Sequence, residues 1–301
     1  MIQAEILARL RVAPGSKVSL KDYDPGWAQT KEMKALGKTA VKERAQAILD
    51  QNLADLAAAQ ELLYADDRYA VLLVFQAMDA AGKDGTIKHV MSGINPQGCQ
   101  VFSFKQPSAE ELDHNFLWRY AKAAPERGRI GIFNRSYYED VLVVRVHPEL
   151  LARQKLAVGV GKKRFWKDRY EDINAFERHL TRNGTVVLKF FLHVSKEEQR
   201  KRFLDRLDRP EKNWKFSSAD LAERGHWDEY MRAYEDALSA TSTDWAPWYV
   251  VPGDQKWITR VVVADVLTTA IRGLELRFPE LSAEQRAALK QARDQLTSEQ
   301  R

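Results

Sequence analysis

Tyr69–Thr86 reads YAVLLVFQAMDAAGKDGT, and the fold class follows from it. Tyr69 to Phe75 is a short run rich in Val and Leu, the mark of a strand buried on both faces of a parallel sheet. Small residues come directly after it. Ala77, Ala80, Ala81, Gly82 and Gly85 allow a tight turn and a close approach of backbone N–H groups to an anion, and Lys83 adds a point charge on a flexible stem. A helix opening at Asp84 would aim its positive dipole end at the same anion. The segment is therefore expected to be a phosphate-binding loop. Against the pattern G-x-x-x-x-G-K-[ST], Ala77 replaces the first Gly and Asp84 replaces the hydroxyl-bearing metal ligand. Asp79 puts a second acid inside the loop. Acids beside a phosphate site make sense where they hold Mg²⁺ that bridges to the phosphates. The competing reading is an ordinary glycine-rich strand-to-helix turn with a solvated Lys83.

The surrounding composition allows this. The 301 residues are 45% hydrophobic and 30% charged, enough to bury a large core in one α/β domain, taken as residues 1–301. The longest apolar runs, near Val71 and from Val261 to Val263, are too short to span a bilayer, so no membrane association is expected. The first fifteen residues carry Glu5, Arg9 and Arg11 and do not read as a secretory signal. One cysteine, Cys99, excludes an intrachain disulfide and fits a reducing cytoplasm. The formal charge of +5 points to a polyanionic partner. Cys99 and the six histidines make no zinc-like spacing, and no Ser-His-Asp or Cys-His arrangement can be argued.

Residues 1 to about 30 are expected to form an arm on the domain surface, and Lys31 to Tyr64 a long helix. After the loop, a helix from Thr86 to Gly93 leads to a second strand, Gln100–Lys105. A helix spanning Ala109–Ala123 leads to a third, Arg129–Phe133, followed by Asn134-Arg135-Ser136-Tyr137-Tyr138-Glu139. Thr185–Val194 and Trp248–Val251 supply strands four and five, Gln255–Phe278 a long helix, and 283–301 a polar helical tail. Strands alternating with helices argue a parallel sheet with right-handed crossovers, whose ligands sit at the carboxyl ends of the strands. That rule gathers Asp79, Lys83, Asn134 and Arg135 around one crevice. Arg135 suits a phosphate by its planar fork, and Glu139 is read as either a first-turn dipole partner or a metal ligand. Lys162–Arg169 (KKRFWKDR) opens a further helix, its cations ordinarily a solvated face. Ser195 and Glu198 read as a capping box. Arg202, Arg206 and Arg209 recur at helical spacing, with Phe203 and Leu207 pointing inward, and Pro210 stops the helix. With Lys212 and Lys215 beyond it, the segment has the makings of a lid over phosphates.

In this order, MDAAGKDGTIKHV, the stretch from His114 to His147 (HNFLWRYAKAAPERGRIGIFNRSYYEDVLVVRVH) and DRPEKNWKFS resemble the polyphosphate kinase 2 family over roughly residues 20 to 280. The resemblance implies an α/β, P-loop kinase-like three-layer sandwich with a central five-stranded parallel sheet and a helical lid at 195–225. It implies reversible transfer of the terminal phosphoryl group of inorganic polyphosphate to ADP and AMP. Asp79, Lys83 and Arg135 would then be catalytic, with Asp79 and Glu139 holding Mg²⁺ or Mn²⁺. Ala81, Gly82, Asp84, Gly85, Thr86, Asn134, Tyr138 and Glu139 would contact the nucleotide. Lys83, Lys88, Arg135, Lys162, Lys163, Arg164, Arg202, Arg206 and Arg209 would contact polyphosphate. Asn134 departs from the Asp that many members carry, and the Asn-Arg-Ser-Tyr-Tyr-Glu form is similar to the family's third class, acting on AMP and ADP. Adenine or guanine nucleotides, a dimer or tetramer, and a cytoplasmic setting without nucleic acid are the implied context. Two rivals remain: an ATP-dependent nucleoside monophosphate kinase on the same fold, and a non-catalytic basic nucleic-acid binder.

Overall fold

The computed structural model describes residues 4–27, 37–156 and 163–299. Five parallel strands form its centre: β1 (Ala70–Gln76), β2 (Cys99–Ser103), β3 (Ile130–Asn134), β4 (Thr185–His193) and β5 (Trp248–Pro252), in the order β2-β3-β1-β4-β5. Every residue of β1 is buried, as an unbroken apolar run in the middle of a parallel sheet requires. β2 lies at the edge and is only half covered.

Around the strands run the helices α1 (Ala4–Leu10), α2 (Lys38–Asp66), α3 (Lys83–Val90), α4 (Lys163–Arg182), α5 (Lys196–Asp208), α6 (Ser218–Gly225), α7 (Trp227–Thr241), α8 (Lys256–Arg272) and α9 (Ala283–Ser298). α2 packs along α8, which also meets α3, while α4 and α7 pack together against β4 and the Tyr137–Val141 turn. The three layers anticipated from the sequence are therefore present. Residues 28–36 and 157–162, which include the start of the expected first long helix and Lys162, lie outside the described residues.

The arm does more than cover a surface. Val12 N donates to Trp248 O at 2.9 Å, and Arg11 bridges Tyr249 in antiparallel sense, so the arm closes the β5 edge that would otherwise expose unpaired backbone groups. Val12, Val18 and Leu20 are buried with the core. α9 is exposed along its length.

Three expected elements differ. Ala109–Ala123 is two short helices, Ala109–Leu112 and Trp118–Lys122. Asn115 interrupts it, since its side-chain oxygen accepts from Leu117 N at 3.1 Å and offers the backbone a turn instead of a helix. Gln255–Phe278 ends at Arg272. At the start of α5, Ser195 caps Glu198 N, yet the reciprocal half of the capping box is missing: Ser195 N donates to Asp254 Oδ1 at 2.7 Å and Glu198 is taken by Arg202.

Candidate active site

The loop between β1 and α3 is fastened through its carbonyls. Lys83 Nζ donates to Ala77 O (2.9 Å) and Met78 O (3.4 Å), Gln199 Nε2 to Asp79 O (2.9 Å), and Arg202 Nη1 to Ala80 O (3.0 Å) and Ala81 O (2.7 Å). A trans peptide points its N–H opposite its C=O. Drawing five consecutive carbonyls towards Lys83 and α5 therefore turns the opposite N–H groups to the crevice, except that of Ala81, which donates to Met78 O at 3.2 Å. Ala80 (φ 59°) and Gly82 (φ 105°) adopt left-handed backbone to make this turn, and the unpaired first-turn N–H groups of α3 add to it. The result is an anion-binding nest at the carboxyl edge of the sheet.

Arg135 faces this nest from β3. It has left-handed backbone (φ 65°), and its N donates to Phe75 O at 3.1 Å. Its guanidinium spans two acids, Nη2 to Asp79 Oδ1 at 2.6 Å and Nη1 to Glu139 Oε2 at 3.0 Å. Glu139, with Asp79, raises the Arg135 pKa further above its ordinary value. Burial, and Arg135 after it, pulls the Lys83 ammonium down to about 8. Asn134 Nδ2 donates to Asp84 Oδ1 at 2.7 Å, so the acid at the loop's hydroxyl position meets a neutral amide. An Asp at 134 would repel it.

Two cavities adjoin here. The first, about 610 Å³, is lined by the loop and by nine cationic side chains against the three carboxylates of Asp79, Asp84 and Asp205. That imbalance suits a ligand carrying several negative charges. The second, about 510 Å³, has Leu112, Val143 and Leu150 in its wall together with Glu139, Arg153 and Asp220, the mixture of apolar surface and placed polar groups that an organic ligand needs. Asp79 and Arg135 border both.

A family model described as polyphosphate kinase 2 matches residues 39–279. The chain belongs to the polyphosphate kinase 2 family. It is 53% identical over 293 residues to an ADP-polyphosphate phosphotransferase of Rhodopseudomonas palustris, covering 96% of this chain and 97% of that one. It is 46% identical over 274 residues to an AMP/ADP-polyphosphate phosphotransferase of Meiothermus ruber, covering 91% and 96%. The crystal structure of polyphosphate kinase 2 from Arthrobacter aurescens superposes with a TM-score of 0.80 at 41% identity, over 94% of this chain and 95% of that one. The P-loop kinase-like fold of the polyphosphate kinase 2 family is thus the fold of this chain.

Of the residues singled out in the sequence, Asp79, Ala81, Gly82, Lys83, Asp84, Gly85, Thr86, Asn134, Arg135, Arg202 and Arg206 line the first cavity, and Glu139 the second. Tyr138 does not reach either. It is fully buried, its hydroxyl donating to Glu177 Oε1 (2.8 Å) with Thr241 Oγ1 3.0 Å away, because the chain reverses at Arg135 and swings both tyrosines into the core. Arg202 is a strut rather than a free cation. Beyond the loop carbonyls it donates to Gly253 O (2.7 Å) and Asp254 O (3.1 Å). Arg206 pairs with Asp220 at 3.4 Å. Arg209 turns out of the cavity to Glu211 (2.7 Å), and Leu207 is exposed, not inward. Lys88 is exposed on α3 and lines neither cavity. Arg164 is 89% exposed and 3.7 Å from Asp168; the side chain of Lys163 lies outside the described residues.

Lys105, Lys256 and Arg260 line the first cavity as well and were missed. The rule that ligands gather beyond strand carboxyl ends would have found them, since Lys105 lies two residues past β2 and Lys256 opens the helix after β5. Burial lowers the pKa of both Lys256 and Arg260.

The acids are a test of the metal that the family resemblance implies. Among the described residues no group of three or more His, Cys, Asp or Glu side chains could hold a metal ion. Asp79 and Glu139 offer one or two carboxylates. That donor set fits Mg²⁺, which keeps most of its waters and takes phosphate oxygens as ligands, and not a cation caged by protein alone.

Proposed function

We propose that this crevice transfers the terminal phosphoryl group of inorganic polyphosphate to ADP and AMP, and the reverse. The observation that carries the reading is the meeting of two unlike cavities at Asp79 and Arg135: one strongly cationic around a phosphate loop, the other part apolar. A polyanionic donor suits the first, and a nucleotide acceptor with its base suits the second. The names of the Rhodopseudomonas and Meiothermus relatives, an ADP- and an AMP/ADP-polyphosphate phosphotransferase, support both halves.

Phosphoryl transfer passes through a loose transition state in which positioning and charge neutralisation supply most of the acceleration. Lys83 and the loop N–H groups hold the donor end. Arg135 reaches the group in transit with the N–H donors its two acids leave over. Asp79, with Glu139, would hold Mg²⁺, which would supply charge neutralisation at the phosphate oxygens. The Asn134 to Glu139 form supports acceptance of both AMP and ADP; guanine nucleotides are further acceptors on this reading. A cytoplasmic homo-oligomer, dimer or tetramer, completes it, with light scattering as the check on assembly. No helix of the described residues is long and apolar enough to cross a membrane.

The deciding experiment supplies ADP, Mg²⁺ and long-chain polyphosphate with no other phosphate donor. ATP should form in proportion to polyphosphate consumed. Absence of ATP, with AMP phosphorylated by ATP alone, would replace the reading with an ordinary nucleotide kinase.

A further inference from the structure

The two cavities share four lining residues: Asp79, Phe104, Lys105 and Arg135. If donor and acceptor occupy them as proposed above, on which this inference rests, the phosphoryl group crosses at that shared wall. Asp79 and Arg135 already have roles there, and Phe104 is apolar. We propose that Lys105 is a catalytic cation whose ammonium hydrogen-bonds the non-bridging oxygens of the group in transit.

The sheet puts Lys105 beside Arg135. β2 and β3 pair in parallel with Ser103 opposite Asn134, and Phe104 N donates to Asn134 O at 3.1 Å, carrying the ladder one residue past the strand. Lys105 and Arg135 therefore leave adjacent strand ends towards the same wall. Its backbone is pinned from the other side: Arg119 Nη1 donates to Lys105 O at 2.9 Å, while the Arg119 guanidinium lies 4.7 Å from the Tyr120 ring centroid and 3.5 Å from Glu111. Phe104 packs on Tyr120 and Phe133 with centroids 4.5 and 4.9 Å away.

The side chain, by contrast, is uncommitted. Lys83 gives two of its three donors, and Arg202 its Nη1, to loop carbonyls, and Arg206 faces Asp220. Lys105 is exposed, and among the described residues it has no ion-pair partner. A cation on a flexible stem, fixed at its base and held by no acid, can follow charge as it shifts. In the transfer, the bond from the terminal phosphorus to its bridging oxygen breaks and leaves its electron pair on the shortened chain. An oxygen of the ADP β-phosphate bonds to the same phosphorus. Lys105 neither gains nor loses a proton; it offsets charge on the oxygens of the group being passed.

Initial rates with ADP and long-chain polyphosphate test this on the full chain. Lys105→Met should lower kcat by roughly 10²-fold, the usual loss for one electrostatic donor, with the KM values changed by less than about threefold. Lys105→Arg should restore most of the rate. The exposed position leaves the unfolding midpoint where it was. A Lys105→Met enzyme with kcat within about twofold of the parent, or with its loss confined to the KM for polyphosphate, overturns the proposal while leaving the function intact. A parent protein that forms no ATP overturns both.

Discussion

Lys189→Met is the perturbation whose outcome the structure determines most completely. Lys189 is wholly buried, and its ammonium spends all three donors: Glu177 Oε2 at 2.6 Å, Thr241 O at 2.6 Å and Tyr138 Oη at 3.0 Å. Glu177, also wholly buried, receives the Tyr137 and Tyr138 hydroxyls at 2.9 and 2.8 Å on Oε1. Met fills much the same length and removes the charge and every donor. Breaking a buried pair by deleting one partner costs about 3–5 kcal/mol, because the other charge stays uncompensated. Glu177 has one escape, which is to keep a proton. Burial already holds its carboxyl above the usual range, and with Lys189 gone the main opposing influence is lost. The folded state then binds more protons than the unfolded one, so the variant should be most stable below the unfolded carboxylate pKa of about 4.3. Stability should fall as pH climbs from there to the raised folded value. Urea unfolding followed by tryptophan fluorescence at several pH values measures this, at unchanged slope. Glu177→Leu combined with Lys189→Met removes both desolvation penalties and should recover much of the loss, giving a coupling of about 3 kcal/mol. A single variant within about 1 kcal/mol of the parent, or two single losses that simply add, would refute the reasoning.

Lys83→Met should cut turnover by about 10²–10³-fold while circular dichroism stays unchanged; near-normal activity removes Lys83 from the mechanism. If the ammonium binds phosphate as proposed, then with burial pulling its pKa down to about 8, kcat/KM for polyphosphate should fall as pH rises through about 8, and Lys83→Arg should abolish that limb of the profile. Gly253→Ala places a methyl 2.8 Å from His193 O and 3.0 Å from Val194 N, both backbone atoms. It should cost about 1–3 kcal/mol and raise the KM for polyphosphate, since Arg202 is bonded to the Gly253 carbonyl; a higher KM without lower stability would contradict the link. Asp79→Asn should raise the half-saturating Mg²⁺ concentration by about tenfold, and an unchanged metal dependence would assign the metal elsewhere.

What could be read in the sequence was whatever the local chain determines. β1 and its loop were legible because seven consecutive buried residues followed by small ones have few other uses. The gathering of Asp79, Lys83, Asn134 and Arg135 was legible because parallel strands deliver their carboxyl ends to one edge. Tyr138 was not, since the left-handed turn at Arg135 that sends it inward has no signature at a non-glycine residue.

The three lid arginines show where the line falls. Their spacing on one helix is real, yet it cannot say which turn meets the rest of the molecule. Arg202 sits at the buried base of α5 and donates to four carbonyls from two loops. Arg206, one turn on, borders the cavity and pairs with α6 through Asp220. Arg209 is past the helix end and faces solvent acids. One sequence pattern has thus become a strut, a cavity wall and a surface pair. The physical cause is distance from the phosphate loop: a guanidinium whose two Nη groups meet four loop carbonyls cannot leave them without stranding those groups, at about 1–3 kcal/mol each. Any closing movement over the cavity therefore has its fixed end at Arg202. Beyond Arg206, none of Pro210–Lys215 is buried, and that turn brings Lys212 and Lys215 to the cavity rim.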